Sequence, residues 1–213
     1  MLNKNKEISV YVHWPYCLKK CPYCDFNSHV SKQEIDYKDW ALAYKNEINI
    51  EQNRLGEKDV SSIFFGGGTP SLMPPNLVES IINSIGKKWN ITNKTEITVE
   101  ANPSSVEINN FKYHAESGVN RLSLGFQSLN DDHLKFLGRN HKAIDSLKAL
   151  EIAKKNFDRV SFDLIYGLPD QTEFSWKQEL KEAIKFSGEH MSAYQLTIEK
   201  GTPFYAMHRD KSF

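Results

Sequence analysis

Short runs rich in β-branched and aromatic residues alternate with longer helical patterns along all 213 residues. The strand candidates are residues 8–13, 62–65, 96–100, 121–126, 160–165 and 192–198. Several read as near-continuous apolar runs, "SIFF" and "VSFDLIYG" among them, as expected of parallel strands covered on both faces. Between them lie helix candidates at 33–52, 75–88, 109–117, 143–156 and 176–186, with a short extra turn at 130–137. Gly118 is a good stop for the third of these helices. Six β-α units at intervals of about 30 residues, with no linker, predict one parallel α/β domain. A doubly wound sheet and a (β/α) barrel share this signal. In both, the loops at the carboxyl ends of the strands build the site.

The unusual residues fall on those loops. Three cysteines follow the first strand, "GGGTP" follows the second, and Glu100 with Ala101, Asn102 and Pro103 ends the third. Gln127 ends the fourth and "YGLP" follows the fifth, so polar and glycine-rich features converge on one face.

Cys17, Cys21 and Cys24 are spaced C-x3-C-x2-C and are the only cysteines in the chain. Clustered cysteines without a disulfide framework read as metal-binding or catalytic. Lys19 and Lys20 nearby are expected to favour the thiolates. One reading is a zinc site with His13 or His29 as fourth ligand, although structural zinc sites usually pair two closely spaced ligands with two distant ones. The other is an iron–sulfur cluster, which ordinarily takes four cysteines. Three would leave one iron open to a substrate or cofactor.

Composition narrows the function classes. Lys+Arg and Asp+Glu are both 27, so the overall balance calls for neither nucleic acid nor an anionic membrane. No run approaches about 18 apolar residues, the length of a transmembrane helix. The N-terminal "MLNKNKEISV" lacks the apolar core of a signal peptide, and a cytoplasmic location is expected.

With these residues in view, "CLKKCPYC" resembles the cluster motif of the radical S-adenosylmethionine (SAM) superfamily. The resemblance implies a partial (β/α)6 barrel, parallel strands with outer helices. It implies a [4Fe–4S] cluster held by Cys17, Cys21 and Cys24, whose open iron chelates S-adenosylmethionine. One-electron reduction would cleave that cofactor to methionine and a 5′-deoxyadenosyl radical. More closely, "YVHWPYC", "CPYCDFNSH", "FFGGGTPSL", "LSLGFQSL", "LGRNH" and "DLIYGLPDQT" resemble the branch containing oxygen-independent coproporphyrinogen III oxidase and the haem chaperone HemW. The oxidase has a further cysteine two residues after the third cluster ligand. Here Phe26 stands there, which is the chaperone-like form.

Further roles follow from the resemblance. The loop of Gly66, Gly67, Gly68, Thr69 and Pro70 would hold the methionyl amino group, with Thr69 beside it; a tight turn is the plain alternative. Tyr11 matches a position that contacts the cofactor, or is a core strand residue. Tyr23 would lie against the adenine region. Glu100 matches a carboxylate that contacts the cofactor, with a salt bridge as the alternative. Gln127, Arg139 and Asp163 match a second cofactor-sized site of the oxidase, or an Arg–Asp pair bracing strand ends; Phe26 alters that neighbourhood. His13 and His29 are structural, or ligate haem. Trp14, Trp40, Trp89 and Trp176 read as packing residues.

The expectation is then a radical SAM core over residues 1–213, acting with haem or porphyrin in haem insertion into a receiving protein, with an electron donor. Coproporphyrinogen oxidation is the enzymatic alternative. The C-terminal region that covers the barrel in relatives is expected to be absent from this chain.

Overall fold

The computed structural model describes residues 6–213; residues 1–5, part of the stretch read above for a targeting signal, lie outside them. The chain begins with β1 (Glu7–Trp14), β2 (Tyr16–Cys17), β3 (His29–Val30), α1 (Tyr37–Leu55) and β4 (Asp59–Gly67). A 3-10 turn (Pro70–Leu72), α2 (Pro75–Gly86), β5 (Glu96–Ala101), α3 (Ser105–Ile108), α4 (Phe111–Glu116) and β6 (Arg121–Gln127) come next. It ends with α5 (Asp131–Phe136), α6 (Ala143–Asn156), β7 (Arg159–Tyr166), α7 (Glu173–Phe186), β8 (Ser192–Gln195) and α8 (Pro203–Arg209).

Six strands form one parallel sheet in the order β1-β4-β5-β6-β7-β8. Each neighbour in space is the next long strand in sequence, which is barrel winding rather than the reversed order of a doubly wound sheet. β1 and β8 stand at the two edges, so the barrel is partial. No helix of the described residues is long and apolar enough to cross a membrane.

The strands are not covered equally on both faces, contrary to the reading of "VSFDLIYG". Outward residues such as Ile63, Phe65, Val99, Leu122, Leu124, Phe126, Phe162 and Leu164 are buried with the helices in one core. On the three central strands most residues between them are polar: Thr98 and Glu100 on β5, Arg121 and Ser123 on β6, Ser161 and Asp163 on β7. They meet across strands, Arg121 donating to Ser161 Oγ (2.6 Å) and to Thr98 Oγ1 (3.3 Å), and Ser123 Oγ lying 3.1 Å from Ser161 Oγ. A closed barrel fills its interior with branched apolar side chains; this one keeps a hydrophilic concave wall.

Local signals explain the element ends. Helix α1 starts at Tyr37, not at residue 33, because the Asp36 carboxylate accepts from the N–H groups of Lys38 and Asp39. Helix α7 starts at Glu173, earlier than expected, since Thr172 and Ser175 form a reciprocal cap. Trp14 packs in a ring cluster with Tyr16, Tyr37 and Trp40, while Trp89 donates to Gly56 O and Trp176 stacks on Tyr166. All four tryptophans therefore pack.

Candidate functional site

The end of β2 and the loop from it to β3 carry the thiols, and several contacts fold this segment over the carboxyl end of the barrel. The two short strands pair in parallel, His29 N–H bonds Pro15 O (2.7 Å), and His13 Nε2 lies 2.9 Å from Asn27 O. Lys20 Nζ donates to the carbonyls of Phe26 and Ser28, and Lys19 Nζ to Gly138 O and Asn140 Oδ1. The lysines thus brace the loop rather than the thiolates, correcting the expectation above. Burial, chiefly, pushes the Cys17 thiol up, with the other two cysteines adding to it.

All three cysteines are free, half-buried and on one cavity of about 330 Å³. Its walls also include Gly67, Gly68, Thr69, Tyr23, Glu100, Gln127, Arg139 and Asp163. The structure therefore brings together every site residue expected from the sequence except Tyr11 and Gly66. The Tyr11 ring sits on the concave face, largely exposed, against Phe64 and Gly66, and lies outside the cavity lining. Phe26 is on the cavity wall and 59% exposed, an apolar ring at the mouth.

The zinc reading finds no fourth ligand in its two histidines. Neither His13 nor His29 lines the cavity that carries the thiols, and each bonds Asn27 through Nε2, His29 to Oδ1 at 3.1 Å. Among the described residues, no three His, Cys, Asp or Glu side chains gather closely enough to hold a single metal ion. The donors suit a larger iron–sulfur body: three unpaired thiols, each with a polar neighbour. Ser28 and Thr69 bond Cys17, Ser28 Oγ lies 3.8 Å from Cys24 Sγ, and Arg139 reaches Cys21 Sγ at 3.4 Å.

The glycine loop is shaped by packing as much as by access. Gly67 has φ +112°, and a Cβ there would come within 2.6 Å of the His13 ring. The N–H groups of Gly68 and Thr69 are already given to Trp14 O (2.6 Å) and Tyr16 O (2.9 Å). This ties the loop to the segment just before Cys17. Gly67 donates a backbone hydrogen bond to Glu100.

Glu100 makes no salt bridge among the described residues. Its pKa is raised to about 7, first by burial and then by the charge of Asp163; Gly67 and Arg121 pull the other way. Asp163 is likewise raised by burial, offset by a hydrogen bond from Ser192 and by Arg121. One wall thus holds two desolvated carboxylates near one guanidinium.

Arg139 does not pair with Asp163, which corrects the bracing alternative. It donates to Gly125 O (3.0 Å), to Asn102 Oδ1 and to Cys21 Sγ. Gly125 leaves room for the Gln127 amide, which would lie 2.8 Å from a Cβ there. Gln127 itself sits at φ +71°, a strained backbone at the end of β6. Burial pushes the Tyr23 hydroxyl far up, with Arg139 opposing, and Phe204 packs beside its ring. Two site residues escaped the sequence reading. Asn102 stands beside Glu100 at the end of the third strand with no role suggested by the sequence, and Arg121 is only a charge at the start of the fourth.

The radical SAM superfamily model matches residues 11–186. The haem chaperone HemW of Buchnera aphidicola (subsp. Schizaphis graminum) is 40% identical over 198 residues, 93% of this chain and 53% of that protein. The mitochondrial radical S-adenosyl methionine domain-containing protein 1 of Danio rerio is 39% identical over 201 residues, 93% of this chain and 45% of its own length. Among solved structures, coproporphyrinogen III oxidase (HemN) from Escherichia coli superposes with a TM-score of 0.81 at 26% identity, covering 96% of this chain and 47% of that one. This chain spans about half the length of these relatives. Fold, thiol loop and family match agree, and the chain belongs to the radical SAM superfamily.

Proposed function

We propose that this chain is the radical SAM core of a HemW-like haem chaperone, working in the cytoplasm on haem insertion into a receiving protein. Superfamily membership implies a [4Fe–4S] cluster and S-adenosylmethionine. The observation that carries the reading is the meeting of three free thiols and two desolvated carboxylates in one cavity, whose described lining offers no fourth cysteine and no histidine. Cys17, Cys21 and Cys24 would hold the cluster, leaving one iron without a protein ligand. When bound, the cluster supplies that open coordination position and one electron for cleaving the cofactor.

The chain's own residues do the rest. The 67–69 loop and Glu100 would receive the methionyl ammonium, and Tyr23 would border the adenine. Tyr11 would stand behind the loop from the barrel side. Glu100 and Asp163, only partly offset by Arg121 and, at Asp163, by His190, give this wall an affinity for cations, and the cofactor carries both a sulfonium and an ammonium. Gln127 and Asp163 line the space beyond, where the oxidase resemblance puts a second cofactor. Phe26 at the mouth and the similarity to HemW proteins favour the chaperone over coproporphyrinogen oxidation. Haem, its receiving protein and the electron donor are assigned with the chaperone reading.

Anaerobic reconstitution with iron and sulfide tests the core of this. The unmodified chain should take up a four-iron cluster, and its paramagnetic resonance in the reduced state should shift on adding S-adenosylmethionine. Cys17→Ala, Cys21→Ala and Cys24→Ala should each fail to hold a full cluster. A complete cluster in any of the three would remove the basis of the assignment. Cluster-dependent decarboxylation of coproporphyrinogen III would replace the chaperone with the oxidase.

A further inference from the structure

Behind the cavity wall a buried carboxylate organises two strand-end loops. Glu107, on α3, is 1% exposed. It accepts from Ser71 Oγ, from the Asn102 backbone N–H (2.6 Å) and from Ser104 Oγ (2.9 Å). The backbone of Asn102 is therefore held in place, and its side chain bridges outward. The Asn102 amide donates to Thr69 Oγ1 (3.4 Å), and its carbonyl oxygen accepts from Arg139. Gly125 O fixes the same end of the guanidinium from β6. The other end is left pointing at Cys21 Sγ. Gly138, at φ +69° and packed so closely on Pro22 that a Cβ would come within 2.6 Å, turns Arg139 toward the thiol loop.

We propose that Arg139 donates a hydrogen bond to the cluster ligand Cys21 and thereby raises the cluster's reduction potential, with Asn102 as the residue that positions it. The inference rests on the reading that Cys21 holds the cluster. It departs from the second-cofactor role that the oxidase resemblance suggests for Arg139. A charge-assisted donor draws negative charge off a thiolate, and the reduced cluster carries the extra electron that this stabilises. Two of the guanidinium's anchors are neutral oxygens; the buried Glu107 carboxylate behind Asn102 offsets part of its positive charge, and the rest acts on the sulfur it touches.

A redox titration followed by electron paramagnetic resonance, on the anaerobically reconstituted chain without S-adenosylmethionine, tests this. Arg139→Gln should lower the reduced-to-oxidised ratio at fixed ambient potential by about tenfold, about 59 mV for a one-electron couple. Asn102→Ala should lower it less. The double variant should move no further than Arg139→Gln, because Asn102 acts through Arg139. Should Arg139→Gln fail to retain the cluster, Asn102→Ala decides: a lowered midpoint supports the proposal and an unchanged one overturns it. Additive shifts in the double variant would also overturn it. So would variants that lose cofactor affinity at an unchanged potential. If the unmodified chain assembled no four-iron cluster, the proposed function itself would fall, whereas a full cluster with unshifted variants removes only this inference.

Discussion

Adjacent residues on the central strands have opposite fates. Val99, Phe126 and Phe162 point outward and are no more than 1% exposed. Their neighbours Glu100, Gln127 and Asp163 point inward onto the cavity. The outward set gives the domain its stability, since each buried aromatic removes a large apolar area from water. The inward set does the reverse: two carboxylates are held where burial disfavours their charge, and Gln127 adopts a left-handed backbone. A fold gains nothing from such residues on its own account. Their presence one position away from optimal packing marks the concave wall as a place for a ligand.

The sharpest way to test that contrast is to change both members of one pair. Phe162 stacks on Phe126 with ring centroids 4.5 Å apart. Phe162→Ala should cost about 3–5 kcal/mol of stability by denaturant unfolding, the range for large aromatic truncations in a core. Asp163→Asn should cost little or stabilise the chain at neutral pH, while weakening S-adenosylmethionine binding. Equal destabilisation by the two would erase the distinction between the faces.

A smaller effect is expected where the two roles coincide. Gly67→Ala puts a methyl on a left-handed backbone and into the His13 ring, so strain of about 1–3 kcal/mol is expected. Gly188→Ala meets nothing within 4 Å and should lie within about 0.5 kcal/mol of the unmodified chain. Thermal unfolding of the pair checks this. Equal melting temperatures would show that the loop adapts and that its glycines are kept for ligand access alone.

Much of this was legible in the chain. Strand and helix spacing predicts six β-α units, and the strand-end rule alone puts the thiols, "GGGTP", Glu100 and Gln127 on one face. Periodicity was weaker on the strand interiors, where Ser161 and Asp163 inside "VSFDLIYG" were read as part of a continuous apolar run. Only the curl of the sheet separates an inward serine from an outward phenylalanine. The two-residue ladder β2–β3 and the one-turn α3 are too short to leave a pattern. The partners of Arg139 were out of reach for another reason. Cys21 lies 118 positions away in sequence, Asn102 comes from the loop after β5 and Gly125 from within β6. An Arg–Asp pair bracing strand ends is the plain alternative to a cofactor role, and the bonds of Arg139 run elsewhere.

A pH dependence is also expected, and its sign follows from Glu100. Its carboxyl titrates at about 7 in the folded chain against an ordinary 4.5. Below the ordinary value both folded and unfolded chains hold the proton, and the group has no influence on stability. As pH rises toward 7 the unfolded chain has released a proton that the folded chain still holds, so stability falls, and above 7 the loss is complete. A cationic ligand reverses this, because a positive charge beside the carboxylate favours its ionised form. Affinity for S-adenosylmethionine should therefore rise between pH 6 and pH 8 and then level off. Glu100→Gln should abolish that slope and bind about tenfold more weakly at pH 8, about 1.4 kcal/mol. The same variant, free of the cofactor, should be more stable than the unmodified chain at pH 8 and no more stable at pH 4. Equilibrium binding and denaturant unfolding across this range measure both arms. A flat affinity profile in the unmodified chain would mean that Glu100 faces no cation in the complex, and the electrostatic contrast between the two faces would then rest on Asp163 alone.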